Sequence, residues 1–134
     1  MPSFGTLKAD TLTHSTAGSL DTNFVVQGSS KSWINFNGTG TIASRDTHNV
    51  SSLTDSATGE YSFGLSSVMN NSNYAFYGSA SKAAGAISST NSAILLLKEA
   101  GNYTTTAVAI GVCDSAGTAK DFDTVTTSVD GDLA

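Results

Sequence analysis

The chain has 134 residues and a formal net charge of −5, with 21 Ser, 18 Thr, 9 Asn and 13 Gly set against one Pro and two Glu. Ser, Thr, Asn and Gly belong to turns and to the polar faces of strands, whereas long helices need Glu, Lys, Leu, Ala and Arg, so a helical bundle or doubly wound α/β enzyme is excluded. The six basic residues (Lys8, Lys31, Arg45, Lys82, Lys98 and Lys120) are scattered singly, and no cationic stripe awaits nucleic acid. The longest strongly apolar stretch, Ala93 to Leu97, is far too short for a membrane helix, and the N-terminus lacks the charged and apolar regions of an export signal.

Residues 1–22 come first and are distinctive. Leu7, Leu12 and Leu20 are their large aliphatics, too sparse to line a private core, so this stretch is either disordered or completed by neighbouring chains. Hydrophobic alternation begins at Phe24-Val25-Val26 and becomes clear at Trp33-Ile34-Asn35-Phe36, which predicts a strand with Trp33, Asn35 and Asn37 on one face and Ile34 and Phe36 on the other. Asn37-Gly38-Thr39-Gly40 then turns the chain into Thr41 to Ser44, leaving Arg45, Asp46 and His48 in a turn-like region. Asn49 to Thr54 and Glu60 to Leu65 alternate again around the Asp55 to Gly59 turn, and Tyr74 to Ser79 follows the Asn70 to Asn73 turn.

Ala80 to Asn91 is small and polar and reads as a loop, while Ala93 to Leu97 reads as a run buried on both faces or lying between sheets. Tyr103 to Val112 is rich in β-branched residues, Asp114 to Thr118 turns, and Phe122 to Val129 alternates through Val125, Thr127 and Val129. Seven or eight strands at roughly 8–15-residue spacing predict an all-β fold, an antiparallel β-sandwich or jelly roll.

Chemistry-bearing groups are thinly spread. His14 and His48 lie far apart in sequence, and Cys113 has no nearby histidine and reads as a buried small hydrophobe. Asp121/Asp123 and Asp130/Asp132 offer carboxylate pairs for glycoside hydrolysis or calcium, but both sit in turn-forming sequence without the spaced acidic loop of an EF-hand, and capping turns is their expected role. No cofactor, metal or catalytic residue is assigned. Aromatic and amide groups remain: Asn71, Asn73, Tyr74 and Tyr77 form the candidate binding surface, since rings supply contact area and amides fix hydrogen bonds. Trp33 is expected in the core or an interface.

The run Lys31-Ser32-Trp33-Ile34-Asn35-Phe36-Asn37-Gly38-Thr39-Gly40-Thr41-Ile42, followed by Arg45-Asp46, Asn49 to Asp55, Thr58-Gly59-Glu60-Tyr61 and Asn73-Tyr74-Ala75, resembles a module of fibre-like structural proteins of marine tailed phages. Leu7 to Leu12 is similar to the shaft or attachment segments preceding such modules. The resemblance covers about residues 31–78 and is silent on 79–134. It implies a homotrimeric, virion-associated protein that binds rather than catalyses: an attachment segment over residues 1–28 and a β-sandwich head over 29–134. Trp33, Phe36, Leu7 and Leu12 are then candidates for trimer packing. The partners implied are two further copies of the chain, other virion proteins and a host-surface glycan or protein, with no nucleic acid and no membrane insertion. Three roles remain open: a short tail fibre or fibre tip as the leading one, a capsid decoration protein, and an enzyme degrading host polysaccharide.

Overall fold

The computed structural model describes residues 8–82, 91–98 and 103–134. Among the described residues the fold is all-β apart from one short helix, and every sheet is antiparallel. A hairpin of β1 (Thr11–His14) and β2 (Gly18–Asp21) leads into α1 (Thr22–Gly28). Then follow β3 (Ser30–Asn37), β4 (Ala43–His48), β5 (Val50–Ala57), β6 (Glu60–Leu65), β7 (Ala75–Ser81), β8 (Ala93–Leu97), β9 (Ala107–Asp114) and β10 (Thr124–Asp130). These eight strands form two four-stranded sheets, in the orders β4-β3-β10-β7 and β5-β6-β9-β8.

Period-two alternation decides which side chains meet. Ile34, Phe36, Val125 and Val129 from the first sheet join Tyr61, Phe63, Leu65, Val108, Ile110 and Val112 from the second in one buried cluster. Thr127 shares that inward row and is buried, and its hydroxyl has no hydrogen-bond partner among the described residues, a cost of about 1 kcal/mol or more within the core. The alternation of β3 is as the sequence predicts: Ile34 and Phe36 face in, Trp33 and Asn35 face out.

Several elements differ from expectation. Phe24-Val25-Val26 is helical, because Asp21 caps α1 by accepting a hydrogen bond from the Asn23 amide (3.0 Å), and the Lys31 ammonium closes the other end on the Val26 and Ser29 carbonyls. Arg45, Asp46 and His48 lie in strand β4 rather than a turn: Asp46 and His48 pair with Asn35 and Trp33 of β3, and Arg45 falls at the register shift between Asp46 and Ser44. The strand expected from Tyr103 starts at Ala107, and Tyr103 instead packs edge-on against Tyr74. Ala93–Leu97 is not enclosed on both faces: among the described residues it is an edge strand paired to β9 alone, and its alternate residues Ile94 and Leu96 are exposed. The loop expected over Ala80 to Asn91 lies mostly outside the described residues, and β7 continues to Ser81. Among the described residues no helix is long and apolar enough to cross a membrane.

The chain passes between sheets from β4 to β5 through a single residue, Asn49, whose φ of 56° lies in the left-handed region. Its side-chain amide donates to the Lys31 and Ser67 carbonyls at 3.0 Å each, and its Oδ1 accepts from the Ser67 amide at 2.6 Å. Asn tolerates this conformation better than other non-glycine residues. Replacing Asn49 by Ala removes both the conformational tolerance and three hydrogen bonds, and is expected to lower stability by about 2–3 kcal/mol in denaturant unfolding, with Asn49→Gly intermediate. Equal stability of Asn49→Ala and wild type would refute this role.

Candidate functional site

The outward face of the β4-β3-β10-β7 sheet collects the polar-aromatic residues. Register aligns His48, Trp33, Ser128 and Tyr77 in one row across the four strands, and Asp46, Asn35, Thr126 and Ser79 in the next. Adjacent strands lie about 4.8 Å apart, so Trp33 and Tyr77 flank Ser128 at a backbone separation of about 10 Å. Between them lies a shallow groove of about 250 Å³ that includes Thr126 and Ser79 in its lining. Trp33 is half-buried and Tyr77 is 51% exposed.

Hydrogen bonds hold the rim of this face. The Tyr77 hydroxyl donates to Asp130 (3.2 Å), and Ser128 Oγ lies 2.6 Å from Ser30 Oγ. The Arg45 guanidinium lies across the sheet, donating to the Phe36 carbonyl (3.1 Å), the Asp123 carbonyl (2.6 Å) and the Thr124 hydroxyl (3.2 Å). With a further bond to Asn35 Oδ1 (3.3 Å), its charge is committed to backbone and side-chain oxygens of the sheet itself. The Thr126 and Ser79 hydroxyls have no protein partner among the described residues.

Of the four residues expected to form the binding surface, the structure keeps Tyr77, Asn71 and Asn73 exposed and removes Tyr74. Tyr74 is 6% exposed, stacks edge-on against Tyr103 at 4.3 Å and directs its hydroxyl to the Thr104 (3.0 Å) and Ala107 (3.2 Å) carbonyls. It is a core residue because it starts the inward side of the connection into β7. Asn71 accepts from the Asn73 amide at 2.8 Å and shapes the turn. Phe36 is wholly enclosed within its own protomer, edge-on to Tyr61 at 5.0 Å, which removes it from the trimer-packing candidates. Trp33 is outward rather than in the core, Leu12 is exposed on the β1-β2 hairpin, and Leu7 lies outside the described residues. The sequence alternation had placed Trp33 and Asn35 on one face; their juxtaposition with Tyr77 required the β3-β10-β7 order, which no local signal carries.

The Asp pairs do not converge. Asp121 Oδ1 accepts from the Gly59 amide and the Tyr61 hydroxyl, both at 2.7 Å, whereas Asp123 Oδ1 accepts from the Thr39 hydroxyl at 3.0 Å. Asp130 faces Tyr77. His48 stands beside Trp33, and His14 falls on β1. Among the described residues no three His, Cys, Asp or Glu side chains are grouped to hold a metal ion.

Comparison with protein-family models, with curated proteins and with solved structures finds no match to this chain.

Burial pushes the Tyr61 phenol well above the ordinary tyrosine range, and the Asp121 carboxylate, as hydrogen-bond acceptor and negative charge, adds to the effect. Burial likewise raises Tyr74 and Tyr103. A phenol raised in the folded state holds its proton while the unfolded chain loses it, so stability is intact below about pH 10 and falls as pH rises above it. Thermal unfolding followed from pH 8 to 11 is expected to show this fall, and Tyr61→Phe is expected to flatten it while lowering stability by about 1–2 kcal/mol at neutral pH. An unchanged alkaline slope in the variant would refute the assignment.

Proposed function

We propose that the chain is a non-enzymatic structural protein of a phage particle: a homotrimer whose residues 29–134 form a β-sandwich head and whose residues 1–28 attach it, as a short tail fibre or fibre tip. One observation carries the assembly. The described part of the N-terminal segment is a two-stranded hairpin and a seven-residue helix with no buried residue. Neither is stable alone in water. Leu12 and Leu20 are cross-strand partners on one face of the hairpin, and Phe24 and Val26 of α1 are 66% and 64% exposed, so this apolar surface needs cover from other chains.

Two further observations support the reading. Helix α1 ends at Gly28, where the attachment segment was expected to give way to the head. The stretch that resembles the phage module coincides with β3 to the start of β7, a run of consecutive antiparallel strands with its turns. Particular residues of that module have physical roles: Lys31 closes α1 onto the head, and Asn49 makes the passage between sheets.

Native mass spectrometry at micromolar concentration is expected to give a trimer. Phe24→Asp combined with Val26→Asp alters side chains exposed in the protomer, and should convert the trimer to a monomer with an unchanged far-ultraviolet spectrum. A wild-type monomer, or a trimer indifferent to these changes, would overturn the assembly. On the particle, density at the tail supports the fibre role, whereas many copies over the shell would assign the chain to capsid decoration.

A further inference from the structure

We propose that the outer face of the β4-β3-β10-β7 sheet is a carbohydrate site, in which Trp33 and Tyr77 wall a groove for a neutral pyranose ring and the hydroxyls of Ser128, Thr126 and Ser79 meet its rim. An indole and a phenol ring stand on the solvent side of a sheet, two strands apart, with hydroxyl-bearing side chains between and beside them. A pyranose is amphipathic in the complementary sense: its C–H face packs on an aromatic ring and its edge carries hydroxyls that donate and accept. Ligand sites in general combine an apolar wall with a few placed polar groups, and the rings give contact area with few torsions to freeze.

Other ligand classes fit less well. A nucleic-acid strand would also stack on Trp33, but its phosphates need free cations. Arg45, the guanidinium on this face, is already committed to the Phe36 and Asp123 carbonyls, while Asp46 and Asp130 put carboxylates at the two sides. An anionic sugar is disfavoured for the same reason. A protein partner would meet a more apolar centre on the opposite sheet, where exposed Ile94 and Leu96 lie beside Gly111 and Cys113. The Thr126 and Ser79 hydroxyls, unpartnered among the described residues, suit a ligand that is itself rich in hydroxyls.

The inference stands on this sheet face and not on the virion reading, and the two fail separately: a monomer that binds sugar keeps the site, and a trimer that binds none loses only the site. Trp33 is the single tryptophan of the chain, so its fluorescence reports the groove directly. The full chain is to be titrated with neutral trisaccharides of glucose, N-acetylglucosamine, mannose, galactose and rhamnose. At least one is expected to shift Trp33 emission saturably, with a Kd on the order of 1 mM for so shallow a site. Tyr77→Ala should weaken that binding at least about tenfold and Tyr77→Phe by less than about threefold, because stacking and not the hydroxyl is the main contribution. Thr126→Lys, which fills the groove floor, should abolish it, and Leu96→Asp on the other sheet should leave it unchanged. No shift with any of the sugars at about 20 mM, equal binding by Tyr77→Ala, or an emission shift that follows protein concentration alone would overturn the proposal, the last assigning the groove to a second copy of the chain.

Discussion

The structure depends on moving the chain between two sheets without stranding backbone groups away from water. The passage at Asn49 shows how this is done in the least sequence. One residue in the left-handed region reverses the path, and its amide side chain supplies the hydrogen bonds that neither ladder can reach at the crossing. The same residue joins the start of β3 to the segment after β6, since Lys31 and Ser67 are its partners, and its own carbonyl accepts from the Ser66 amide at 3.3 Å. The ends of strands in both sheets are thereby held in common.

A second junction acts at the opposite end of the core. The Tyr61 hydroxyl lies 2.7 Å from Asp121 and 2.8 Å from the Gly38 carbonyl, sharing its proton between the β9-β10 connection and the β3-β4 turn. Glycine is required at both contacts. A side chain on Gly38 would strike the Tyr61 hydroxyl, and Gly59 combines a φ of 69° with an approach to the Val112 carbonyl that leaves no room for a β-carbon. With the inward rows locked from both ends, the outward row of β3 and β10 is held rigidly in register, and a ligand would meet a preformed surface. Preorganisation of this kind favours binding because little order remains to be imposed.

Among the described residues, burial differs on the two sides of Gly28. Beyond it, apolar residues of both sheets satisfy one another inside a single chain. Before it, Leu12, Leu20, Phe24 and Val26 are exposed, and the helix is held by caps at Asp21 and Lys31, with no buried residue of its own. That contrast is the physical basis for proposing that the chain is one protomer of an assembly.

The excess of Ser and Thr and the period-two rows of β3, β6 and β10 determined by themselves that the fold is all-β and which side chains of those strands face inward. These are local or additive properties, visible wherever apolar and polar residues alternate. Helix α1 escaped that reading because three consecutive apolar residues have no distinguishing period, and the cap at Asp21 decides between helix and strand. Only the tertiary structure decided that Ala93–Leu97 is an edge strand, that Tyr74 is buried while Tyr77 is exposed, and that Trp33 and Tyr77 flank Ser128. Each of those outcomes depends on strand order and on contacts between residues as far apart as β3 and β10, and pairing across that distance leaves no mark in the spacing of neighbouring residues.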